Sequence, residues 1–409
     1  MNVLLANKFH YSKGGAERYY LDVSRLLQER GHAVSHLSMR HSRNVAPQEA
    51  DAFVEEVDYR GRLGLAAKVR AGLRVLYNRE SARRVRESLA VRRPHVAHLQ
   101  NIYHQLSLSV VRELARHDVP MIMTLHDYKP VCPAYLLMTQ GEICERCRGG
   151  RFYNAARYRC VLDSRAASIV AAAEAYLHTW WGTYGQIDLY LSPSRFLRDK
   201  VIAMGLSGGS VRHLNNFLPV EGFKPRFGGP PVVVYAGRLS REKGLAALLE
   251  AARLQNVGRG WTLRILGEGP LRETLERRVR QDGLEEGVRF EGYRSGEDLK
   301  DAIRESRVVI VPSEWYENQP YAIVEAFALG KPVIGSRIGG IPELVRDGAS
   351  GWTFPPGDAA ALGEAIRSAL ESPQRVEEMG RAARRQVEDE HHPEQHMERL
   401  LSYYREVAA

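Results

Sequence analysis

Short runs rich in β-branched residues alternate with helix-period stretches along almost the whole chain, and that alternation constrains the fold more than any other feature. Asn2 to Ala6, Ala33 to Leu37, His95 to Leu99, Pro120 to Leu125 and Ile187 to Ser192 read as strands of the first half. Val232 to Ala236, Thr262 to Leu266, Val288 to Phe290, Val308 to Pro312, Val333 to Gly335 and Trp352 to Phe354 repeat the plan in the second. Between the first two, Glu17 to Arg30 spaces Tyr20, Val23, Leu26 and Leu27 at helical intervals and is stopped by Gly31. Strands that alternate with helices build βαβ units and parallel sheets. A chain of 409 residues has room for two such domains. Asn215 to Pro231, with four prolines and paired glycines, follows neither period and reads as the linker. The expected division is 1–216, 217–385, and a C-terminal helix over 386–409 that could return to the first domain. Two doubly wound domains facing each other would leave a central cleft at the carboxyl ends of their strands, where such sheets bind ligands.

Charge narrows the partners. Residues 1–216 hold 31 Lys and Arg against 19 Asp and Glu, a balance of +12, whereas the rest of the chain carries −3. Eleven of the basic residues fall between Arg60 and Arg93, where Leu65, Val69, Leu73 and Leu76 recur at helical spacing. That is a basic amphipathic helix, read either as a helix lying on an anionic membrane or as an ordinary solvated face over the core of the first domain. No nucleic-acid module accompanies the charge, so no nucleic-acid partner is expected. No run approaches the roughly 18 apolar residues of a membrane span, and Met1 to Ala6 lack a basic leader. The expected location is the cytoplasm, with peripheral attachment to the inner face of the membrane if the helix docks there.

Three sequence stretches carry chemistry. Gly14-Gly15 stands just ahead of the first helix, where bare amides attract phosphate, although a plain tight turn would use the same residues. Arg238 and Lys243 follow the strand Val232 to Ala236, where two cations could clamp a diphosphate. From Pro312 the chain runs Ser313-Glu314-Trp315-Tyr316-Glu317-Asn318-Gln319-Pro320 into a helix beginning at Tyr321, with Pro320 where a first-turn proline belongs. Glu317 lies over that helix start and Glu325 projects from its second turn, so both carboxylates could accept sugar hydroxyls while the amides of Asn318 and the first turn meet anionic oxygen.

A fourth stretch places Cys132, Cys144, Cys147 and Cys160 shortly after His126-Asp127. Structural zinc, unligated thiols and disulfides are all compatible with that spacing. The absence of any Asp-any-Asp triplet suits chemistry without a manganese-type cofactor.

The second half resembles the retaining glycosyltransferases of family 4, which have the two-domain GT-B fold of Rossmann-like domains. The resemblance rests on Gly237-Arg238-Leu239 with Lys243-Gly244, Gly267-Glu268-Gly269-Pro270, Phe290-Glu291-Gly292, Pro312-Ser313, Glu317 to Glu325 with Pro320, Ala326 to Val333, Gly339-Gly340-Ile341-Pro342-Glu343, and Gly351 through Asp358. Gly14-Gly15-Ala16-Glu17 and His126-Asp127 extend it into the first half. It implies that Arg238 and Lys243 bind the donor diphosphate, Glu325 the ribose and Glu317 a hydroxyl of the donor sugar. His126 would touch the sugar, Gly292-Tyr293-Arg294 would lie beside the base, and Gly15 would approach the phosphates. Asn318-Gln319 departs from the small residue usual before the proline. The expected activity is transfer of a sugar from a nucleoside diphosphate sugar to a glycan or lipid-linked acceptor, with retention and without a catalytic cofactor. Its rivals are a GT-B epimerase or phosphorylase and a non-catalytic nucleotide-sugar binder.

Overall fold

The computed structural model describes residues 1–45, 52–57, 64–206 and 208–409. The chain forms two compact units, one comprising Met1–Leu214 with Glu394–Ala409, the other Asn215–Pro393. The first is built on a seven-stranded parallel sheet of β1 (Asn2–Ala6), β2 (Ala33–Met39), β3 (Ala52–Val54), β4 (Val96–Leu99), β5 (Met121–Thr124), β8 (Leu189–Ser192) and β9 (Ser210–His213) in the order β3-β2-β1-β4-β5-β8-β9. A small antiparallel hairpin, β6 (Met138–Thr139) with β7 (Glu142–Ile143), stands apart from it. The second unit holds a six-stranded parallel sheet of β10 (Val232–Ala236), β11 (Thr262–Leu266), β12 (Val288–Gly292), β13 (Val308–Val311), β14 (Val333–Ser336) and β15 (Gly351–Phe354) in the order β12-β11-β10-β13-β14-β15.

In each sheet the chain starts in the middle, winds to one edge and returns to build the other. The switch points therefore fall between β1 and β4 and between β10 and β13. The central strands are buried on both faces, with Val3, Leu4, Leu5, Val233, Val234, Val308 and Val309 sealed from water, as parallel sheets covered by helices require. Apolar side chains of the second unit pack into two clusters, one on each side of its sheet.

Eleven strands lie where the sequence places them, within a few residues at their ends. β3, β9 and the β6–β7 hairpin were not expected. β3 and β9 are short edge strands, and Ser210–His213 is polar enough to read as loop. The division between units falls at 214/215, and helix Pro373–Glu390 runs unbroken through residue 385, so the returning segment is the separate helix Pro393–Ala408. Within the first unit that helix is anchored by buried Tyr404, whose hydroxyl lies 2.7 Å from His98 Nδ1, and by pairs of Glu406 with Arg212 and Glu394 with Arg30.

The basic amphipathic stretch divides its apolar residues between two faces of one helix. Arg60, Arg62 and the side chains of Leu65 and Lys68 lie outside the described residues. Helix Leu65–Leu76 buries Ala71 and Val75, while Val69 and Leu73 of the expected apolar stripe stand exposed. Of the arginines around them, Arg74 pairs with Glu80 at 2.6 Å and Arg83 with Glu87 at 2.9 Å, which neutralises part of the expected positive face.

Candidate functional site

The switch point of the second unit gathers the motif residues of that half. β10 and β13 are hydrogen-bonded neighbours, with Val233, Val234 and Tyr235 opposite Val308, Val309 and Ile310, so their following loops, 237–244 and 312–320, emerge side by side. Glu314 N–H donates to the carbonyl of Glu242 at 2.9 Å and ties the two loops together. Gly244 lies between them at φ +69°, and a Cβ there would fall 1.9 Å from the Pro312 carbonyl oxygen, so only glycine lets the loops close.

That closure brings together two residues 74 positions apart, as Lys243 Nζ donates to Glu317 Oε1 at 2.6 Å. Ser313 Oγ donates to the same carboxylate oxygen at 2.6 Å, and Gly340 N–H donates to the Glu317 carbonyl at 2.7 Å. Gly339, at φ +60°, allows this last approach, since a Cβ there would sit 2.4 Å from the Glu317 carbonyl oxygen. Burial works against ionisation of Glu317, but the Lys243 charge and the hydrogen bonds from Lys243 and Ser313 outweigh it and hold the carboxyl below its usual range. The site thus contains a buried, ionised carboxylate whose partner ammonium is half-buried at the sheet's carboxyl end.

Arg238 is exposed on the first of these loops, and its carbonyl accepts a hydrogen bond from the Tyr235 hydroxyl at 2.8 Å. Among the described residues no carboxylate pairs with the Arg238 side chain. Loops from neighbouring strands are stitched to this one. Gly237 N–H donates to the Leu266 carbonyl at 2.9 Å, Leu239 N–H to the Glu268 carbonyl at 3.0 Å, and Gly267 N–H to the Gly292 carbonyl at 2.7 Å. Gly292-Tyr293-Arg294 therefore belongs to the same rim, with Tyr293 exposed and Arg294 3.5 Å from Glu291. Glu325 is half-buried within helix Tyr321–Ala328, and Pro320 caps that helix.

Gln319 and Tyr321, within the stretch expected to meet the donor, use their side chains to bind the segment at residues 216–217 and His391. Gln319 Oε1 accepts the Asn216 N–H at 2.5 Å and its Nε2 lies 3.2 Å from His391 Nδ1, while the Tyr321 hydroxyl donates to the Phe217 carbonyl at 3.3 Å. These side chains hold the segment that enters the unit. Their distance in sequence from residues 216–217 hides that role. Asn318 is buried beside Glu317.

In the first unit, Gly14 precedes helix Gly15–Glu29, and buried Glu17 lies in its first turn with its carboxyl raised by burial against the lowering effect of Lys8 and Lys13. His126 follows β5, with Nε2 2.5 Å from Gln100 Oε1 and its ring 5.6 Å from that of Tyr19. Burial, with a smaller push from Lys8, lowers its pKa to about 3, so the ring is neutral at ordinary pH. Gln100, at the end of β4, carried no sequence signal; it is recognisable only because β4 and β5 are adjacent.

The four cysteines are free of disulfides and line one cavity of about 10 Å³, the room of a single water. Burial and the three neighbouring thiols push the Cys147 thiol up to about 12. Among the described residues, no group of three or more His, Cys, Asp or Glu is arranged as a metal-ligand set, so four thiols around a small void are what the structure assembles. The loop leading to Cys132 is also braced by an ion pair absent from the sequence reading, Lys129 Nζ to Glu174 Oε2 at 2.6 Å, with both side chains buried.

Comparison with known proteins places both halves. A model of Glycosyltransferase Family 4 matches residues 13–221, and one described as Glycosyl transferases group 1 matches residues 221–386. The amylovoran biosynthesis glycosyltransferase AmsK of Erwinia amylovora is 31% identical over 217 residues, covering 51% of this chain and 53% of its own length. The chain thus spans about half the length of the curated relatives it matches. Among solved structures, sucrose-phosphate synthase from Thermosynechococcus elongatus superposes with a TM-score of 0.74 at 20% identity, over 99% of this chain and 98% of that one. Anabaena HepE, solved with UDP, gives 0.70 at 17% identity, over 98% and 99%. These likenesses show the GT-B fold. Together with the family models that meet at residue 221, they establish that the chain belongs to glycosyltransferase family 4.

Proposed function

We propose that this chain is a nucleotide-sugar-dependent transferase that moves a glycosyl group, with retention, from a nucleoside diphosphate sugar to a glycan or lipid-linked acceptor in polysaccharide or glycoconjugate synthesis. The observation that carries the reading is the Lys243–Glu317 pair at the switch point, with Arg238 exposed on the same loop. Leaving-group departure places charge on the diphosphate, and two fixed cations stabilise that charge without reorganising. Glu317, kept ionised, is an acceptor only and suits a sugar hydroxyl. In the step itself, the acceptor hydroxyl oxygen bonds to the anomeric carbon as the carbon–oxygen bond to the diphosphate breaks. The electron pair leaves on the diphosphate, and the hydroxyl proton passes to a phosphate oxygen. The UDP complex of HepE makes uridine the first base to try.

Incubation with a panel of nucleotide sugars tests this directly. Release of free nucleotide supports a transferase, a changed sugar on an intact nucleotide supports an epimerase, and unchanged donors leave a binder. Turnover is expected to survive excess chelator, because Arg238 and Lys243 take the place of a divalent ion; restoration only by added magnesium or manganese would reject that.

The cysteine cavity is read as a brace for the loop that follows His126, formed by four free thiols around one small void. Elemental analysis separates a metal-free thiol cluster from a zinc-bound one, and Cys144→Ser is expected to lower the thermal midpoint without changing donor choice. Metal-free protein with an unaltered midpoint in the variant would reduce the four to ordinary buried thiols.

We propose that the chain works at the cytoplasmic face of a membrane, where a lipid-linked acceptor would be presented. No described helix is long and apolar enough to cross a bilayer.

A further inference from the structure

Two helices of the first unit leave apolar stripes uncovered. Helix Leu65–Leu76 exposes Val69 and Leu73, the latter by 60%. Helix Arg165–Trp180 exposes Ile169, Ala173, Tyr176 and Trp180, the last by 80%. The spacing 169, 173, 176, 180 is one continuous face of a helix.

These helices lie side by side and run in the same direction. A Cβ on Gly72 would stand 3.7 Å from Val170, the Leu76 carbonyl lies 3.0 Å from His178 Nε2, and the rings of Tyr77 and Trp181 are 6.1 Å apart. At about 100° per residue, Val69 and Leu73 sit about 60 to 100° to one hand of Gly72, and the four residues of the second stripe about 60 to 120° to the other hand of Val170. For neighbours running in parallel, those opposite rotations bring both stripes out on the same side.

Charge identifies what covers them. Helix Leu65–Leu76 contains no carboxylate, and the one carboxylate of helix Arg165–Trp180, Glu174, is buried against Lys129. The rim is basic, with Arg70, Arg157, Arg159 and Arg165 all exposed. Tyr153 is also exposed, and its backbone N–H donates to the Tyr176 hydroxyl at 3.1 Å. Apolar residues flanked by Trp, Tyr and Arg, with these four exposed arginines outweighing exposed Asp163 beside Arg165, match the headgroup zone of an anionic bilayer. A second copy of the chain would set arginine rim against arginine rim.

We propose that these paired helix faces are a membrane-docking surface, with Trp180, Tyr176, Ile169, Leu73 and Val69 seated in the interface of an anionic bilayer and the arginines on its headgroups. The proposal deepens the membrane reading above but does not depend on catalysis. The full chain is expected to sediment with vesicles of phosphatidylglycerol and phosphatidylcholine in equal amounts, to release as salt is raised, and to leave vesicles of phosphatidylcholine alone largely unbound. Its tryptophan emission should shift to the blue on binding. Leu73→Ser combined with Trp180→Ser removes two exposed side chains, so the thermal midpoint is expected to hold while partitioning falls about a hundredfold. Nucleotide release from soluble donors, measured alongside, should be equal in both proteins; its absence from both would count against the transferase reading and leave the docking result standing. Wild-type protein that stays in the supernatant at low salt, a double variant that binds as well as wild type, or a concentration-dependent dimer abolished by the double variant would each overturn the docking surface.

Discussion

Arg238→Ala is expected to slow nucleotide-sugar turnover about a hundredfold, and Glu317→Gln to do the same by a different route. The arginine is exposed, without a carboxylate partner among the described residues, so its loss removes a cation from the developing diphosphate and little else. Such a contact is worth on the order of 3 kcal/mol of transition-state stabilisation, which is two factors of ten. Glu317→Gln keeps the shape but removes the charge that positions Lys243, leaving that ammonium to drift from a fixed 2.6 Å contact. Because Glu317 is buried, this variant is also expected to lose stability, on the order of 1 to 3 kcal/mol, whereas Arg238→Ala should melt like the parent. Steady-state kinetics paired with thermal melts check both. Undiminished turnover in Arg238→Ala would remove the diphosphate from this loop.

The second large effect concerns acid. His98 is sealed in the first unit, with Nδ1 2.7 Å from the Tyr404 hydroxyl and Nε2 2.7 Å from Thr124 Oγ1. Burial, aided by neighbouring His126 and His396, lowers its pKa from 6.5 to about 3. The unfolded chain therefore takes up a proton as pH falls below 6.5 that the native state refuses until pH approaches 3. Stability attached to this residue is complete above pH 6.5 and is lost progressively below it, by about 1.4 kcal/mol per pH unit. Glu17 and Asp127 in the same unit, raised by burial, pull the other way, so the comparison must isolate one group. His98→Gln does so. Its stability deficit relative to wild type is expected to shrink by about 2 kcal/mol over the two pH units below 6.5. Denaturant titrations at a series of pH values measure that gap, and a deficit constant across the interval would mean that His98 is protonated in the native state.

By itself the sequence determined the two sheets and most of the residues gathered at the switch point of the second unit. Val232–Ala236 is legible to the residue because a parallel strand buried on both faces is a continuous apolar, β-branched run, and Thr262–Leu266 because buried Leu263 and Ile265 alternate with Thr262 and Arg264. Arg238, Lys243 and Glu317 are legible because charged residues immediately after such strands have few places to go but the carboxyl ends of the sheet. The meeting of Lys243 with Glu317 was not legible, since it depends on β10 and β13 being neighbours and on Gly244 letting two loops touch.

Gln319 and Tyr321 show the converse case. They stand inside the motif, yet their side chains bind a segment about 100 residues upstream, because hydrogen-bond partners are chosen by distance in space. Whether the stripe of Val69 and Leu73 would face inward or outward was hidden for the same reason. Periodicity states that a helix has an apolar face and how wide it is. Only the packing of helix Arg165–Trp180 along Gly72 and Leu76 decided that this helix would bury Ala71 and Val75 and leave its larger residues facing out.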